Sequence, residues 1–412
     1  MPDETEKPYI ERELEKKIRG YLKDKEIIAI VGARQCGKTT LMKHIFKDLK
    51  NAKFISFDNR DILKLFNKDI TSFIKEYIEN TDFLFIDEFQ YAKEGGRQLK
   101  FIYDTYKTKI ILSGSSVSEL SIHSIKYLVG RVFVFTLNPL SFEEFLKFKN
   151  KTLFEALDYN KFPDITLELI NKELGEYLLY GGYPRAATEK NYEKKKEILR
   201  NIYDTYLLKE IKEILQIADD EKISTIIKAI ALQIGGLVNF KELATLTGID
   251  FYQLKKYIAL LKKTFIFLQS NPYFKNKRKE LAKTPKIYFL DNGFRNIAIN
   301  NFQDVGDRTD RGALNENFVA SELFKKEFNL NFWRTKAGAE VDFVVEINNK
   351  LIPIEVKTTL KSPTYGKSMK NFIGEYKSEG GFILSKDYYS KISLGKAEIK
   401  FRPLFLISRE LP

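Results

Sequence analysis

Eight consecutive residues, Gly32-Ala33-Arg34-Gln35-Cys36-Gly37-Lys38-Thr39, fit the spacing G-x-x-x-x-G-K-[ST] of a phosphate-cradling loop. Its glycines let backbone N–H groups approach phosphate oxygens, and a following helix start favours negative charge. The pattern assigns Lys38 to the β- and γ-phosphates of ATP and Thr39 to Mg2+; Thr40 joins the nucleotide-binding set. A second acidic pair, Asp87-Glu88, closes the apolar run Phe83-Leu84-Phe85-Ile86. There Asp87 would serve the metal and Glu88 would polarise the attacking water. Ser113, after Ile110-Ile111-Leu112, either senses the γ-phosphate or water, or caps a loop.

A further constellation lies near the other end: Glu316, Asp342, Glu355 and Lys357. Strand alternation puts Glu355 and Lys357 on one face, where Asp342 from a paired strand can meet them. Carboxylates suit hard Mg2+, which lowers the pKa of bound water, and a lysine can orient that water or stabilise a phosphate in transit. The competing explanation is an acid–lysine salt bridge on a surface hairpin.

These groups need elements to hold them. Residues 27–31 read as a buried strand, and 40–46 have helical spacing of apolar residues. Helical periodicity dominates from 166 to 215. It contains Gly181-Gly182-Tyr183-Pro184-Arg185, with Pro184 suited to a first helical turn. Residues 240–246 read as a short helix, 247–249 as a turn, and 251–263 as a longer helix capped by Asp250. Strands at 265–268 and 286–290 then flank a basic segment, which makes a helix-turn-helix with a wing. Lys255, Lys256, Lys262 and Lys263 belong to the second helix, and Lys275, Lys277, Arg278 and Lys279 to the wing, opposed by Glu280 alone. They suit phosphate contacts; a protein-binding winged helix or a solvated hairpin tip is the alternative. Strands at 339–345 and 352–357 are joined by a turn at 348–350, and Glu316 rides a helix running to about 328. Trp333 could stack on a base or fill a core.

The chain has 412 residues, enough for several domains, and 43% hydrophobic content. Lys plus Arg outnumber Asp plus Glu, 69 to 56, a formal charge of +13 that suits a polyanionic partner. One cysteine and two histidines exclude a disulfide framework and a His/Cys zinc cluster, and point to a reducing cytoplasm. Cys36 is a filler at a variable motif position or a redox switch. The charged N-terminus is no signal peptide, and no apolar run reaches the ~20 residues that span a bilayer.

Taken together, the loop, the Asp87-Glu88 pair, Ser113, Arg131 and Arg185 resemble an AAA+ ATPase over about residues 8–215. The resemblance implies an arginine finger at Arg131 acting on a neighbouring subunit, a second sensor at Arg185 on a helical lid, and a ring, commonly a hexamer. Arg131 as a salt-bridged structural residue and Arg185 as a surface arginine remain open. The lid motif is similar to that of the bacterial Holliday-junction branch-migration motor. Glu316, Asp342 and Glu355-x-Lys357 resemble the PD-(D/E)XK nuclease superfamily over roughly 310–412, with Val-Asp where that family has Pro-Asp. In such fusions the domain cleaves DNA or only binds it.

The expected architecture is α/β: a parallel P-loop sheet (1–150), a helical lid (151–215), a winged helix (216–300) and a restriction-endonuclease-like domain (301–412). Two functions follow. One is an ATP-driven motor or remodeller on DNA, branched DNA such as Holliday junctions among its candidate substrates; the other is an ATP-dependent signalling switch that assembles with a protein partner, with a non-catalytic C-terminal scaffold.

Overall fold

A computed structural model describes residues 8–92, 95–114, 127–158, 161–205, 220–276, 278, 280 and 283–411. They divide into two compact units, 1–139 with 263–265, and 140–262 with 266–412.

The first unit contains α1 (Glu13–Gly20), β1 (Ile27–Val31), α2 (Lys38–Lys47), β2 (Ala52–Ser56), α3 (Arg60–Lys68), α4 (Ile70–Tyr77), β3 (Phe83–Asp87), α5 (Gly95–Thr105), β4 (Lys109–Gly114) and β5 (Val132–Thr136). Its five strands pair in parallel in the order β2-β3-β4-β1-β5. All five residues of β1 are buried, which is why the run is uninterrupted apolar sequence rather than an alternation. Parallel strands deliver their C-terminal ends to one edge. Gly32, Asp87 and Ser113 therefore collect there, where open α/β sheets bind ligands.

The second unit contains α6 (Phe142–Lys149), α7 (Lys151–Ala156), α8 (Asp164–Tyr180), α9 (Pro184–Thr188), α10 (Tyr192–Thr205), α11 (Asp220–Leu232), α12 (Phe240–Thr247), α13 (Phe251–Lys263), β6 (Phe267–Pro272), β7 (Lys286–Phe289), α14 (Asn292–Ala298), α15 (Arg311–Lys325), β8 (Asn331–Arg334), β9 (Glu340–Ile347), β10 (Lys350–Val356), α16 (Lys367–Tyr376), β11 (Gly380–Ser385), β12 (Ser390–Leu394), β13 (Ala397–Pro403) and α17 (Ile407–Glu410). The first unit closes at Pro139. Helix α6 packs within the second unit: the Phe142 ring meets Tyr177 and Phe318 edge-on, and its N–H donates to Glu322 at 3.1 Å.

No unit boundary separates the expected winged-helix segment from the C-terminal segment. The β6–β7 ladder is antiparallel, as expected of two strands flanking a wing, but β6 also pairs in parallel with β8. One eight-stranded sheet results, in the order β12-β13-β11-β10-β9-β8-β6-β7. Helices α12 and α13 form with the turn between them: Gly248 takes the left-handed conformation after α12, and the Asp250 carboxylate accepts from Tyr252 and Gln253 N–H at 2.7 and 3.0 Å. The β9–β10 hairpin turns on Asn348 and Asn349, both with positive φ, as a two-residue primed turn requires. From β10 the chain crosses over through α16 to the parallel strand β11.

Candidate functional site

The phosphate loop is held from outside as well as by its glycines. Gly32 has φ +154°, and a Cβ there would lie 2.1 Å from the Leu137 carbonyl oxygen. Gly37 has φ +95° and starts α2. The buried Arg12 guanidinium donates to the Cys36 carbonyl at 2.9 Å and the Asn138 carbonyl at 2.6 Å. Arg12 thereby ties the loop to the segment that follows β5. Sequence reasoning missed it, because an arginine in a charged N-terminal stretch carries no local signal. Cys36 is fully buried, which suits a filler better than an exposed redox switch.

Lys38 is buried, and its ammonium donates to the Gly32 and Ala33 carbonyls at 2.9 and 3.0 Å. Both acceptors are loop backbone, so phosphate oxygens can replace them without exposing a buried ion pair. The Thr39 hydroxyl donates to Asp87 at 2.8 Å, and the fully buried Ser113 hydroxyl donates to the other Asp87 oxygen. Ser113 also accepts from the Glu88 N–H at 3.2 Å, while Gln90 donates to the Glu88 carboxylate. Ser113 thus links the two acids. Gln90, a second residue missed in the sequence, aims Glu88, whose φ of +56° turns it off the strand. Thr39 and Asp87 fit a Mg2+ site, because two hard oxygen donors already face one another beside the loop. The cation would neutralise phosphate charge there.

Arg131 precedes β5, and its carbonyl accepts from Ile27 N–H at the start of β1, the end of the strand away from the loop. Its guanidinium pairs with Asp104 at 2.9 Å and stands 5.7 Å from the Tyr103 ring centroid. Among the two readings of Arg131, this supplies the partner that the structural one requires. Any contact with ATP would be on another copy.

Arg185 is exposed in the first turn of α9, in the second unit. The glycines before it have a packing reason. The buried Asp291 carboxylate accepts from Gly182 N–H at 2.7 Å, and a Cβ on Gly181 would lie 2.1 Å from it. Burial pushes the Asp291 carboxyl above its ordinary range, opposed by those N–H bonds. Lys255, Lys256, Lys275 and Arg278 are exposed. The Lys255 ammonium lies over Phe251 and Phe240, and that of Lys275 over Tyr376. Lys277 and Lys279 lie outside the described residues. Trp333 is buried against Phe372, so it fills a core.

Alternation along β7 points Lys286 and Tyr288 to one face. The buried Asn317 of α15 locks that strand to the helix, accepting from Phe289 N–H at 2.7 Å and donating to its carbonyl at 3.0 Å. Glu316, the preceding residue, therefore meets β7. Lys286 lies 3.1 Å from Glu316 and 2.6 Å from Glu340, and the Tyr288 hydroxyl also donates to Glu316. Arg334 holds the other Glu340 oxygen at 3.3 Å. Asp342 accepts from Val356 N–H at 2.7 Å, and Glu355 pairs with Lys357 at 3.0 Å. The second Glu355 oxygen is buried without a hydrogen-bond partner among the described residues. Burial pushes Glu316 up to about 7 and raises Asp342 and Glu355, each against the lowering field of a lysine. Burial alone would lower Lys286, but Glu316, Glu340 and Asp342 outweigh it and hold the ammonium charged.

Glu316, Asp342, Glu355 and Lys357 thus come within one another's fields. Among the described residues no three acid, histidine or cysteine side chains gather as a metal-ligand group. Lys286, which sequence reading took only as the start of a wing strand, stands among these acids, paired with Glu316 and Glu340.

Against known proteins, residues 24–146 match a family described as an AAA domain. Residues 171–305 and 311–396 match two domains of unknown function, DUF8612 and DUF4143. The first unit thus carries an AAA-type P-loop fold, an α/β fold with a parallel sheet. An uncharacterized protein of Haemophilus influenzae is 24% identical over 92% of this chain and 93% of its own length. One of Methanocaldococcus jannaschii is 25% identical over 90% and 86%. A Walker-type ATPase of Pyrococcus abyssi is 17% identical, with TM-score 0.47, over 70% of this chain and 96% of that one. The Aeropyrum pernix ORC1 protein, solved in complex with DNA, is 13% identical, with TM-score 0.31, over 78% and 96%. No described helix is long and apolar enough to cross a membrane.

Proposed function

We propose that the chain is an ATP-hydrolysing AAA+ protein that acts on DNA, with the first unit as motor and the second as grip. The observation that carries the ATPase is the Thr39–Asp87–Ser113–Glu88 network beside the Lys38 loop. Lys38 exchanges its two carbonyls for phosphate oxygens. Asp87 and Thr39 would hold the cation, which would neutralise phosphate charge, and Glu88, held by Gln90, is placed to polarise the attacking water.

The grip rests on charge. Lys255, Lys256, Lys275 and Arg278 present cations from the helix-turn-helix and its hairpin, which we read as a winged helix, and Lys277 and Lys279 extend the same run in sequence. The β9–β10 hairpin with α15, α16 and β11 is read as a PD-(D/E)XK-like domain that binds DNA backbone. Assembly into a ring, with Arg131 or Arg185 reaching the nucleotide of a neighbour, belongs to the same proposal, as does a preference for branched DNA. Phosphate release measured without DNA and with single-stranded, duplex and four-way DNA tests it. Stimulation by DNA that falls steeply with salt is expected. Turnover indifferent to every DNA would replace the motor by an ATP-dependent switch.

A further inference from the structure

The acids of the second unit contain a cation of their own. Lys286 has a side chain 1% exposed, and it spans Glu316 on α15 and Glu340 on β9 at 3.1 and 2.6 Å. Its ammonium also stands 5.4 Å from the Phe332 ring centroid, so aromatic and carboxylate groups both enclose it. The lysine comes from the segment matched by one domain family and the acids from the segment matched by the other. β7 is fixed by the two Asn317 bonds to Phe289, which hold the Lys286 backbone beside the acids.

A hard divalent cation asks for several oxygens at once. Here Glu316 is engaged by Lys286 and Tyr288, Glu340 by Lys286 and Arg334, one oxygen of Asp342 by Val356 N–H, and one oxygen of Glu355 by Lys357. We propose that Lys286 is a built-in cation that takes the place of the catalytic metal, so that this site holds a DNA phosphate without Mg2+ and without cutting it. The inference rests on the nuclease-like reading of these acids. Lys357, with its side chain 47% exposed, is the cation left to meet the phosphate.

The test uses the full-length chain, free of nucleotide, with Asp87→Asn removing the other metal site. Mn2+ is titrated by electron paramagnetic resonance and calorimetry. With Lys286 present, no saturable Mn2+ binding is expected. Lys286→Met should create one site at least roughly tenfold tighter, and adding Glu316→Gln should remove it. A Mn2+ site in the Lys286 chain that Asp342→Asn abolishes overturns the proposal; so does a folded Lys286→Met chain that gains no site. If Lys286→Met fails to fold, the Lys286-containing chain still decides, since its lack of an Asp342-dependent site is required. Binding of duplex DNA in EDTA is the second readout. It should persist, and it should weaken in Lys357→Ala. DNA binding indifferent to Lys357, beside the expected Mn2+ results, would sink the nuclease-like reading and leave the resident cation standing.

Discussion

Each unit holds a buried lysine at its candidate site, and the two lysines are tied down in different ways. Lys38 donates only to carbonyls of its own loop, which a phosphate can replace. Lys286 is bound to two carboxylates on two other elements, and releasing it would leave buried charges unpaired. A site that must take up ATP keeps its cation on weak, exchangeable acceptors. One whose cation is permanent gives it acids. The same residue type therefore makes a binding site in one unit and a closed ion cluster in the other.

The largest expected effect falls on the exchangeable lysine. Lys38→Ala should abolish turnover and weaken ATP binding, whereas Glu88→Gln should still bind ATP but hydrolyse it about a hundredfold or more slowly. Fluorescent-nucleotide titration and phosphate release separate the two. Full turnover in Glu88→Gln would mean that another residue activates the water.

Next comes the fixed lysine. Lys286→Met should cost about 3–5 kcal/mol in stability by stranding buried acid, and adding Glu316→Gln should restore part of it. Urea unfolding measures both. Equal midpoints for Lys286→Met and the native chain would show that the cluster is not closed. Lys38→Met, by contrast, should shift the midpoint far less, because it breaks no ion pair.

A smaller effect is expected at Arg12. Removing it leaves the Cys36 and Asn138 carbonyls without that donor, at about 1–3 kcal/mol. Nucleotide should bind several times more weakly, with little change in the hydrolysis rate at saturation. A loss confined to the rate would place Arg12 in the chemistry instead.

The smallest effect on stability belongs to Arg131→Ala, since the Asp104 pair is solvent-exposed. If Arg131 acts on a neighbour, turnover falls while ATP binding persists, and mixing with Lys38→Ala recovers some activity. Absence of recovery in an assembled mixture leaves Arg131 with its structural pair alone.

Local patterns made the first site legible. The apolar run into Gly32, the helix after it and the strand into Asp87 all lie within a few residues of the groups they position. The Asn348-Asn349 turn and the Asp250 cap were readable for the same reason. What stayed hidden depends on contacts far apart in sequence. Arg12 meets Asn138 only because β5 returns beside β1, and periodicity does not encode that pairing. Gly181 is explained by Asp291, which approaches from a distant helix, and Gly182 by the Leu140 carbonyl, 2.3 Å from where a Cβ would lie. The short strand β2, with Lys53 and mostly half-buried residues, lacked the apolar run that marked its neighbours. Lys286 was visible as a residue, but its partners became known only when β6 joined β8 and brought the hairpin to the acids.

The contrast between the two units is tested most directly by following both chemistries in one sample. Supercoiled and four-way DNA are incubated with the chain, ATP and Mg2+ or Mn2+, and phosphate release and strand breaks are recorded together. The account predicts ATP hydrolysis that Lys38→Ala abolishes, with DNA bound and every strand intact. Metal-dependent nicking that disappears in Asp342→Ala would contradict it, as would turnover that survives Lys38→Ala.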